Sequence, residues 1–328
     1  MKKLFAFLIL IAAIVGVLFY LSRETADPNR KIEWGVTFSV PFAQKMNIDW
    51  KKAFVEILDD LKIRNLRLVA YWPDVEMQKD VYDFSELDWQ VEQASQRGTK
   101  IILSLGRRLP RWPECHEPDW VKGQGAETMN VELLKYIEQT VSHYKNNQAI
   151  TTWQVENEPF LNFGECPKID AGLLDEEIAL VRKLDSRPII MTDSGELSLW
   201  YEAAKRGDIF GTTMYRYVWS PIIGAYKYPI PPAFFRVKGR LVRLFVGQEK
   251  PFLVIELQGE PWQHKQIYEI STNEQLQNLN FEEFKGIIDY AKETGFSTYY
   301  LWGAEWWWSL KQNNHQEYWD YVKNLIIS

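Results

Sequence analysis

The feature that most constrains the fold of this chain is a repeated alternation between short apolar runs and longer amphipathic runs. The short runs are rich in β-branched and aromatic residues, which is typical of strands. Eight of them predict strands, in order EWGVTFS (33–39), NLRLVAYW (65–72), KIILSLG (100–106), ITTWQVENEP (150–159), PIIMTDSGE (188–196), IFGTTMYRY (209–217), PFLVIELQGEPW (251–262) and STYYLWGAEWWW (297–308). Because strands that alternate with helices favour a parallel sheet, the chain is expected to be an α/β protein.

The amphipathic runs place apolar residues at helical spacing. They predict helices at 49–62, 85–98, 131–144, 173–185, 198–207, 281–295 and 316–327. Ser85 is expected to be the N-cap of the second helix, and Gly98 is expected to end it. Eight β/α units predict a closed (β/α)8 barrel, the TIM barrel fold. The alternative, an open doubly wound sheet, needs fewer strands and usually a Gly-rich first turn, which this sequence lacks.

The N-terminal residues 1–21 predict a transmembrane helix. Lys2 and Lys3 precede an uncharged run of 18 residues at 4–21, which is close to the minimum length for crossing a bilayer. A cleaved signal peptide has a shorter apolar core and a small-residue cleavage site, so it is the alternative. The two lysines predict a cytoplasmic N-terminus and a catalytic part outside the cytoplasm. Residues 22–31 are then a polar linker, and residues 32–328 form the barrel domain.

The net charge and the cysteine content restrict the partners and cofactors that are expected for this chain. The net charge of −6 argues against a nucleic-acid partner. The sequence has no Gly-rich phosphate loop, and its four His are scattered, so neither a metal nor another cofactor is expected. Cys115 and Cys166 follow neighbouring predicted strands. In an oxidising compartment they are expected to form a disulfide, with two separate thiols as the alternative.

The basic segment 226–245 lies between the sixth and seventh predicted strands. It mixes aromatic residues with Arg236, Lys238, Arg240 and Arg243. It is expected to be the sixth barrel helix with a solvated basic face. A surface that rests against anionic lipid is the alternative.

Two glutamates stand where buried strands should end. In a barrel the carboxyl ends of all strands meet at one rim, and active sites lie there. Glu158 follows the fourth strand, and Pro159 is expected to end that strand by removing a backbone donor. Glu256 follows the apolar run PFLVI of the seventh strand. A salt-bridged structural acid is the alternative for either residue alone, but two at one rim favour chemistry.

Paired carboxyl groups are typical of enzymes that cleave glycosidic bonds. One protonates the leaving oxygen, and the other attacks the anomeric carbon or activates water. The acid needs a raised pKa, and the nucleophile must stay ionised. Arg67, inside the second strand, needs an acidic partner if it is buried. Tyr215, at the end of the sixth strand, could donate a hydrogen bond to Glu256.

The aromatic content is high, with 15 Trp, 16 Tyr and 17 Phe. Several tryptophans follow predicted strands three, six, seven and eight, namely Trp112, Trp219, Trp262, Trp306, Trp307 and Trp308. Flat faces at one rim could stack on sugar rings, whereas packing between loops is the alternative for each. As a set, they predict a carbohydrate groove.

The motifs WQVENEP and FLVIELQ resemble those of the retaining (β/α)8-barrel glycoside hydrolases of clan A, the cellulase family or a near relative. The resemblance covers the chain after residue 31. It implies that Glu158 is the general acid/base and Glu256 the nucleophile. It also implies that Asn157 binds the sugar 2-hydroxyl group, that Arg67 and Tyr215 orient the nucleophile, and that Trp302 forms the floor of the sugar subsite.

The chain departs from the cellulase pattern at two places. Members of that family usually carry a His at the end of strand three and another near the strand-six Tyr. This chain has LSLGRRLPRW and TMYRY instead. Because of this departure, the sequence does not specify which sugar the chain would bind.

Four other acids lie near the ends of the predicted strands. Glu260 and Glu305 are expected to bind sugar hydroxyl groups or to be solvated. Glu196 is expected to be solvated. Glu156 shares the strand phase of Glu158 and could point the same way.

The sequence thus predicts a retaining β-glycoside hydrolase that acts on an oligo- or polysaccharide by double displacement. Its two carboxyl groups are expected to lie about 5–5.5 Å apart. A carbohydrate-binding barrel without activity and a transglycosidase with the same residues are the alternatives.

Overall fold

The barrel fold predicted from the sequence is confirmed. The computed structural model describes residues 25–167 and 169–327, together with residues 5, 16, 22 and 23. Eight parallel strands close into a barrel, in the spatial order β1-β2-β3-β4-β5-β6-β9-β10. They are β1 (Glu33–Thr37), β2 (Asn65–Val69), β3 (Lys100–Leu105), β4 (Ile150–Val155), β5 (Ile189–Asp193), β6 (Ile209–Met214), β9 (Phe252–Gln258) and β10 (Thr298–Trp302). The predicted seventh and eighth strands are therefore β9 and β10.

Helices connect the strands as predicted, with several short additions. They are α1 (Val40–Lys45), α2 (Trp50–Asp59), α3 (Trp72–Val75), α4 (Ser85–Gln96), α5 (Ala126–Tyr144), α6 (Ala171–Leu184), α7 (Tyr201–Arg206), α8 (Pro232–Val246), α9 (Thr272–Asn278), α10 (Phe281–Thr294), α11 (Ala304–Gln312) and α12 (Glu317–Ile327). A 3₁₀ turn spans Ile267–Glu269. Most of the basic segment forms α8, as expected. Its basic face is not fully solvated, because Lys238 is half-buried and donates to the Gly195 carbonyl at 2.7 Å. Contact with anionic lipid stays the alternative.

Local signals set the helix ends. The Asp49 side chain caps α2 by accepting a hydrogen bond from the Lys52 backbone N–H at 3.1 Å. Helix α4 begins one residue earlier than expected. Ser85 is its first helical residue and Phe84 its N-cap, so the prediction for Ser85 is wrong. Gly98, with φ of +66°, follows the end of α4 as predicted.

Two apolar layers hold the barrel together. The larger lies between the strands and the surrounding helices. A smaller cluster in the barrel interior contains residues of β3, β5, β9 and β10, namely Ile102, Ile190, Leu253, Ile255 and Tyr300. Gly35 of β1 makes room for this cluster, because a Cβ atom there would lie 2.8 Å from the Tyr300 ring.

The prediction extends the sixth strand beyond its observed carboxyl end. Strand β6 stops at Met214, and the chain then forms an antiparallel hairpin of β7 (Tyr217–Ser220) and β8 (Gly224–Lys227). The hairpin stands at the barrel mouth, where Trp219 of β7 lines the cavity described below.

The eighth predicted strand also ends early. Strand β10 stops at Trp302, and Gly303, at φ of +135°, turns the chain directly into α11. Trp306, Trp307 and Trp308 are therefore buried on a helix rather than displayed at the rim. Their indole N–H groups are satisfied internally, by the side chains of Gln275 and Glu56 and the carbonyl of Gly259. The prediction that these three tryptophans line a groove is wrong.

The predicted transmembrane helix at 1–21 lies outside the described residues, except for residues 5 and 16. Within the described part of the chain, no helix is long and apolar enough to cross a membrane. At the end of the predicted linker, the Arg30 guanidinium donates a 2.8 Å hydrogen bond to the Phe296 carbonyl. The chain therefore joins the barrel beside the start of β10.

Trp307→Ala should destabilise the fold strongly. The Trp307 ring is fully buried, and its N–H lies 2.7 Å from the Gly259 oxygen. Loss of a buried aromatic ring costs about 3–5 kcal/mol of unfolding free energy. Trp112→Ala is the control, because 43% of Trp112 is exposed, and it should cost about 0.5 kcal/mol or less. Urea denaturation measures both; equal costs would contradict the placement of α11 in the core.

Candidate active site

A cavity of about 670 Å³ opens at the carboxyl ends of the barrel strands. Nine residues singled out from the sequence line it, namely Trp112, Glu158, Glu196, Tyr215, Trp219, Glu256, Glu260, Trp262 and Trp302. Arg67 and Asn157 lie behind its wall and are buried. The fold thus brings together residues that are up to 235 positions apart, from Arg67 to Trp302.

An irregularity in β9 aims Glu256 into the cavity. On one side, Thr212 and Thr213 of β6 pair with Val254 and Glu256, so β9 contains one extra residue. The pairing with β10 shows the same shift. A bulge of this kind changes the face on which the next side chain lies. Ile255 consequently packs in the barrel interior, while Glu256, its neighbour in sequence, also points inward at the mouth.

The Glu256 carboxyl group is held by one cation and one hydroxyl. Arg67 Nη1 lies 2.6 Å from Oε1, and the Tyr215 hydroxyl donates to Oε2 at 3.1 Å. Arg67 is itself fixed, because Nε donates to Gln154 and Nη2 donates to Asn157, both at 2.8 Å. A charge-assisted pair of this kind stabilises a carboxylate. The structure therefore places Arg67 and Tyr215 on Glu256, as the sequence predicted.

Glu158 stands after a left-handed turn at the end of β4. The strand stops at Val155, so Pro159 does not end it, contrary to expectation. Glu156 and Glu158 have φ of +59° and +45°, conformations that non-glycine residues seldom adopt. Such strain concentrates at functional sites. The Glu158 backbone N–H donates to the Thr192 hydroxyl at 2.9 Å, which anchors the turn.

The surroundings of Glu158 favour its protonated form. The Thr213 hydroxyl lies 3.1 Å from Oε1. Burial, followed by the negative charges of Glu256, Glu114 and Asp193, raises the pKa of Glu158 well above its ordinary value. Glu158 and Glu256 therefore occupy opposite electrostatic environments in one cavity.

Glu156 does not share the cavity with Glu158. Its carboxylate accepts hydrogen bonds from the backbone N–H groups of Arg107 and Arg108, at 2.7 and 2.6 Å. Its other neighbour is Glu177 of α6, outside the barrel. The positive φ of Glu156 breaks the strand alternation, and the two acids point apart as a result.

Asn157 lies beneath the cavity floor. Its Oδ1 accepts from Arg67 at 2.8 Å, and its Nδ2 lies 3.5 Å from Glu114 Oε2. These contacts connect the two acids Glu256 and Glu114 through one buried layer. Binding of a sugar hydroxyl by Asn157 stays a prediction.

Four of the tryptophans singled out from the sequence line the cavity, namely Trp112, Trp219, Trp262 and Trp302. Trp302 is mostly buried, with the Arg111 guanidinium 4.0 Å from its ring centroid. Trp262 packs edge-on against Tyr215, with 5.0 Å between ring centroids. Trp112 remains largely exposed on the opposite loop. The flat faces needed for stacking on a sugar are thus present.

The loop after β3 contributes residues that the sequence analysis missed. Arg111 reaches across the mouth to Glu260 and Glu305, with Nη2 3.1 Å from Glu305 Oε2. Both acids are buried by this contact, so neither is solvated. Glu196 is half-buried and lines the cavity. It accepts from the Tyr215 backbone N–H at 2.9 Å, and burial raises its pKa to about 7. The three arginines in GRRLPRW were the available signal.

The same loop carries Glu114 and the predicted disulfide. Cys115 and Cys166 are bonded, with 5.3 Å between their Cα atoms. The bond joins the loop after β3 to the loop after β4, as predicted. Within residues 25–167 and 169–327, no group of three or more His, Cys, Asp and Glu is placed to hold a metal ion.

Comparison with known proteins agrees with this geometry. A sequence profile described as Glycosyl hydrolase family 10 matches residues 69–169. Native xylanase 10B from Thermotoga maritima is similar in structure, with a TM-score of 0.57 and 16% identity over 83% of each chain. GH5_18 from Bifidobacterium longum subsp. longum has a TM-score of 0.59 and 12% identity over 83% of this chain and 69% of that one. The resemblance to clan A glycoside hydrolases is confirmed.

The likeness to other relatives is more partial. Beta-galactosidase BgaA of Clostridium cellulovorans is 24% identical over 172 residues, which is 46% of this chain and 26% of that protein. Exo-beta-1,4-mannosidase Op5Man5 from Opitutaceae bacterium strain TAV5 has a TM-score of 0.58 and 15% identity, over 83% of this chain and 51% of that one. At these identities the structural likeness establishes the fold.

Arg67→Met should destabilise the protein strongly, whatever its activity. Removal of one partner of a buried ion pair leaves the other charge unpaired and costs about 3–5 kcal/mol. Arg67→Met combined with Glu256→Gln should recover part of this loss. The measurement is urea denaturation followed by tryptophan fluorescence.

Arg182→Met is the matched control for this experiment. Arg182 forms an exposed pair with Asp208 at 2.9 Å, with both side chains about 40% accessible. An exposed pair contributes about 0–1 kcal/mol. A cost for Arg67→Met no larger than the cost for Arg182→Met would contradict the role given to Arg67.

Proposed function

We propose that this protein is a retaining β-glycoside hydrolase in which Glu158 is the general acid/base and Glu256 the nucleophile. The observation that carries the proposal is the contrast between two buried carboxyl groups in one cavity. Glu256 is bound by Arg67 and Tyr215, whereas Glu158 faces mainly negative charge. Environments that separate two acids in this way assign the proton donor and the nucleophile.

The first chemical step transfers the glycosyl unit to the protein. A Glu256 oxygen forms a bond to the anomeric carbon as the glycosidic C–O bond breaks. Glu158 gives its proton to the departing oxygen, so the leaving group departs as a neutral alcohol. Arg67 and Tyr215 hold the Glu256 carboxylate in position for attack.

The second step releases the sugar with retained configuration. Water attacks the anomeric carbon, the bond to Glu256 breaks, and Glu158 accepts the proton of the water. Formation of the ester removes the negative charge of Glu256, which is the second-largest cause of the raised pKa of Glu158. The pKa of Glu158 therefore falls between the two steps, which suits its change from acid to base.

The proposed substrate is a β-linked oligo- or polysaccharide. The cavity offers the aromatic faces of Trp112, Trp262 and Trp302 for stacking on sugar rings. We place the catalytic domain outside the cytoplasm, held by the membrane segment at 1–21 or released after its cleavage. The Cys115–Cys166 disulfide supports this location, because disulfides persist in oxidising compartments.

Substitution of either acid should lower the rate of hydrolysis strongly. Glu158→Ala should lower kcat/KM by about 10²–10⁴-fold, the usual contribution of general acid/base catalysis, and Glu256→Ala by at least as much. The substrates are 4-nitrophenyl β-D-mannoside, galactoside, xyloside and glucoside. Glu165→Gln, an exposed acid near the same mouth, is the control and should retain wild-type rates. Sugar binding without turnover by the wild type would support a non-catalytic barrel instead.

Azide should distinguish the two roles. With Glu158→Ala, azide should attack the glycosyl-enzyme and give a β-glycosyl azide. With Glu256→Ala, azide should replace the carboxylate as nucleophile and give an α-glycosyl azide. Labelling with a 2-fluoro glycoside should modify Glu256 and not Glu260. The reverse assignment of the two azide products would overturn the roles.

The activity should fall at high pH, because Glu158 then loses the proton that it gives to the leaving group. Because burial and neighbouring charge raise the pKa of Glu158, the falling limb should lie at higher pH than for an exposed glutamic acid. With a 2,4-dinitrophenyl glycoside, which needs no acid, glycosylation of Glu158→Gln should lack this limb. Stopped-flow rates of dinitrophenol release measure it; an unchanged limb would exclude Glu158 as its source.

A further inference from the structure

A third carboxyl group belongs to the same cavity, and the mechanism above does not use it. Glu114 lines the cavity together with Glu158 and Glu256, and only 9% of it is exposed. Its Oε2 lies 3.5 Å from Asn157 Nδ2. It is a near neighbour of both proposed catalytic acids, because its charge contributes to the raised pKa of Glu158 and that of Glu256 acts on Glu114.

The loop after β3 holds Glu114 in a constrained position. Its φ of +75° lies in the left-handed region, which a glutamate seldom adopts. Backbone hydrogen bonds fix it on both sides, from Leu109 N–H to its carbonyl at 2.8 Å and from its own N–H to Arg111 at 2.9 Å. The next residue, Cys115, is tied to the loop after β4 by the disulfide.

Gly164 of the opposite loop leaves space for the Glu114 side chain. A Cβ atom at Gly164 would lie 2.6 Å from Cγ and 2.7 Å from Cβ of Glu114. Two loops are therefore shaped around this one carboxyl group. Strain that is kept in this way points to a role for the side chain.

Burial is the main reason that Glu114 favours its neutral form. Burial, followed by the charge of Glu256, raises its pKa to about 8, while Arg108, Asn157 and Arg67 act in the opposite direction. Arg67 is already bonded to Glu256, Gln154 and Asn157, and Arg108 Nη2 is bonded to the Phe163 carbonyl at 2.8 Å. A neutral carboxyl group both donates and accepts a hydrogen bond, which matches a sugar hydroxyl group.

We propose that Glu114 is a specificity-determining residue that binds a hydroxyl group of the sugar unit attacked by Glu256. The proposal rests on the function proposed above.

The test is a comparison of Glu114→Ala with substrates that lack single hydroxyl groups. The parent is the 4-nitrophenyl β-glycoside that the wild type hydrolyses best, and its monodeoxy analogues are the probes. Glu114→Ala should lower kcat/KM for the parent by about 10- to 100-fold, the effect of an unpaired polar group in a closed site. One deoxy analogue should lose a similar factor with the wild type, and Glu114→Ala should then cause little further loss.

Non-additivity for one analogue is the signature of direct contact. Equal losses for the parent and for every analogue would show that Glu114 acts only on the fold, and would overturn the proposal. Glu165→Gln is the matched control. Glu165 precedes Cys166 and is not among the residues that line the cavity, so this substitution should leave the ratio of kcat/KM between parent and analogue unchanged.

Glu114→Gln separates the contact from the charge. Its amide can still donate and accept, so the loss with the parent should be smaller than for Glu114→Ala. In the wild type the contact should weaken above about pH 8, where Glu114 ionises, and in Glu114→Gln it should not. If the discrimination between parent and deoxy analogue has the same pH dependence in both proteins, Glu114 is not the group in contact.

A binding measurement distinguishes failure of this proposal from failure of the proposed function. Calorimetry with manno-, xylo- and galacto-oligosaccharides does not require turnover. Weaker binding by Glu114→Ala than by the wild type supports the contact even if no substrate is cleaved. Equal affinities, or no binding by the wild type, overturn it.

Discussion

The buried contact between Arg67 and Glu256 is the interaction on which the rest of the site depends. The guanidinium group brings one positive charge into the centre of a closed barrel, where polar side chains of neighbouring strands satisfy it. The partners of Arg67 are Gln154 on β4, Asn157 in the turn after β4, and Glu256 on β9. A single side chain on β2 therefore fixes the positions of groups on two other strands, and it makes Glu256 the carboxyl group that carries negative charge.

The pairing of Arg67 with Glu256 influences the protonation of the neighbouring acids. With the Arg67 cation bound to Glu256, the buried carboxyl groups of Glu158 and Glu114 meet negative charge and are favoured in their neutral forms. A second cation, Arg111, forms ion pairs with Glu260 and Glu305 across the mouth of the cavity. The charge at the mouth is thus balanced in part by two arginines, one paired with Glu256 and the other between Glu260 and Glu305.

The sequence predicted the barrel and the central residues because both rest on local patterns. Strand ends are visible as the points where apolar runs stop, which located Glu158 and Glu256, and an arginine inside a strand requires an acid. The roles of Glu114 and Arg111 could not be predicted in this way. Arg111 meets its partners 149 and 194 residues away, through a loop shaped by a disulfide. Trp306, Trp307 and Trp308 were misplaced because three adjacent aromatic residues show no helical period, although a helix buried on every side can hold them.

The attachment of Arg30 beside Phe296 has a consequence for access. Both residues precede barrel strands, so the chain enters at the closed end of the cylinder, and the strands separate that end from the opening by about 17 Å. Anything that tethers this protein through its leading residues consequently stands behind the catalytic face. The opening is turned outward, and a long polymer could lie across it without meeting the tether.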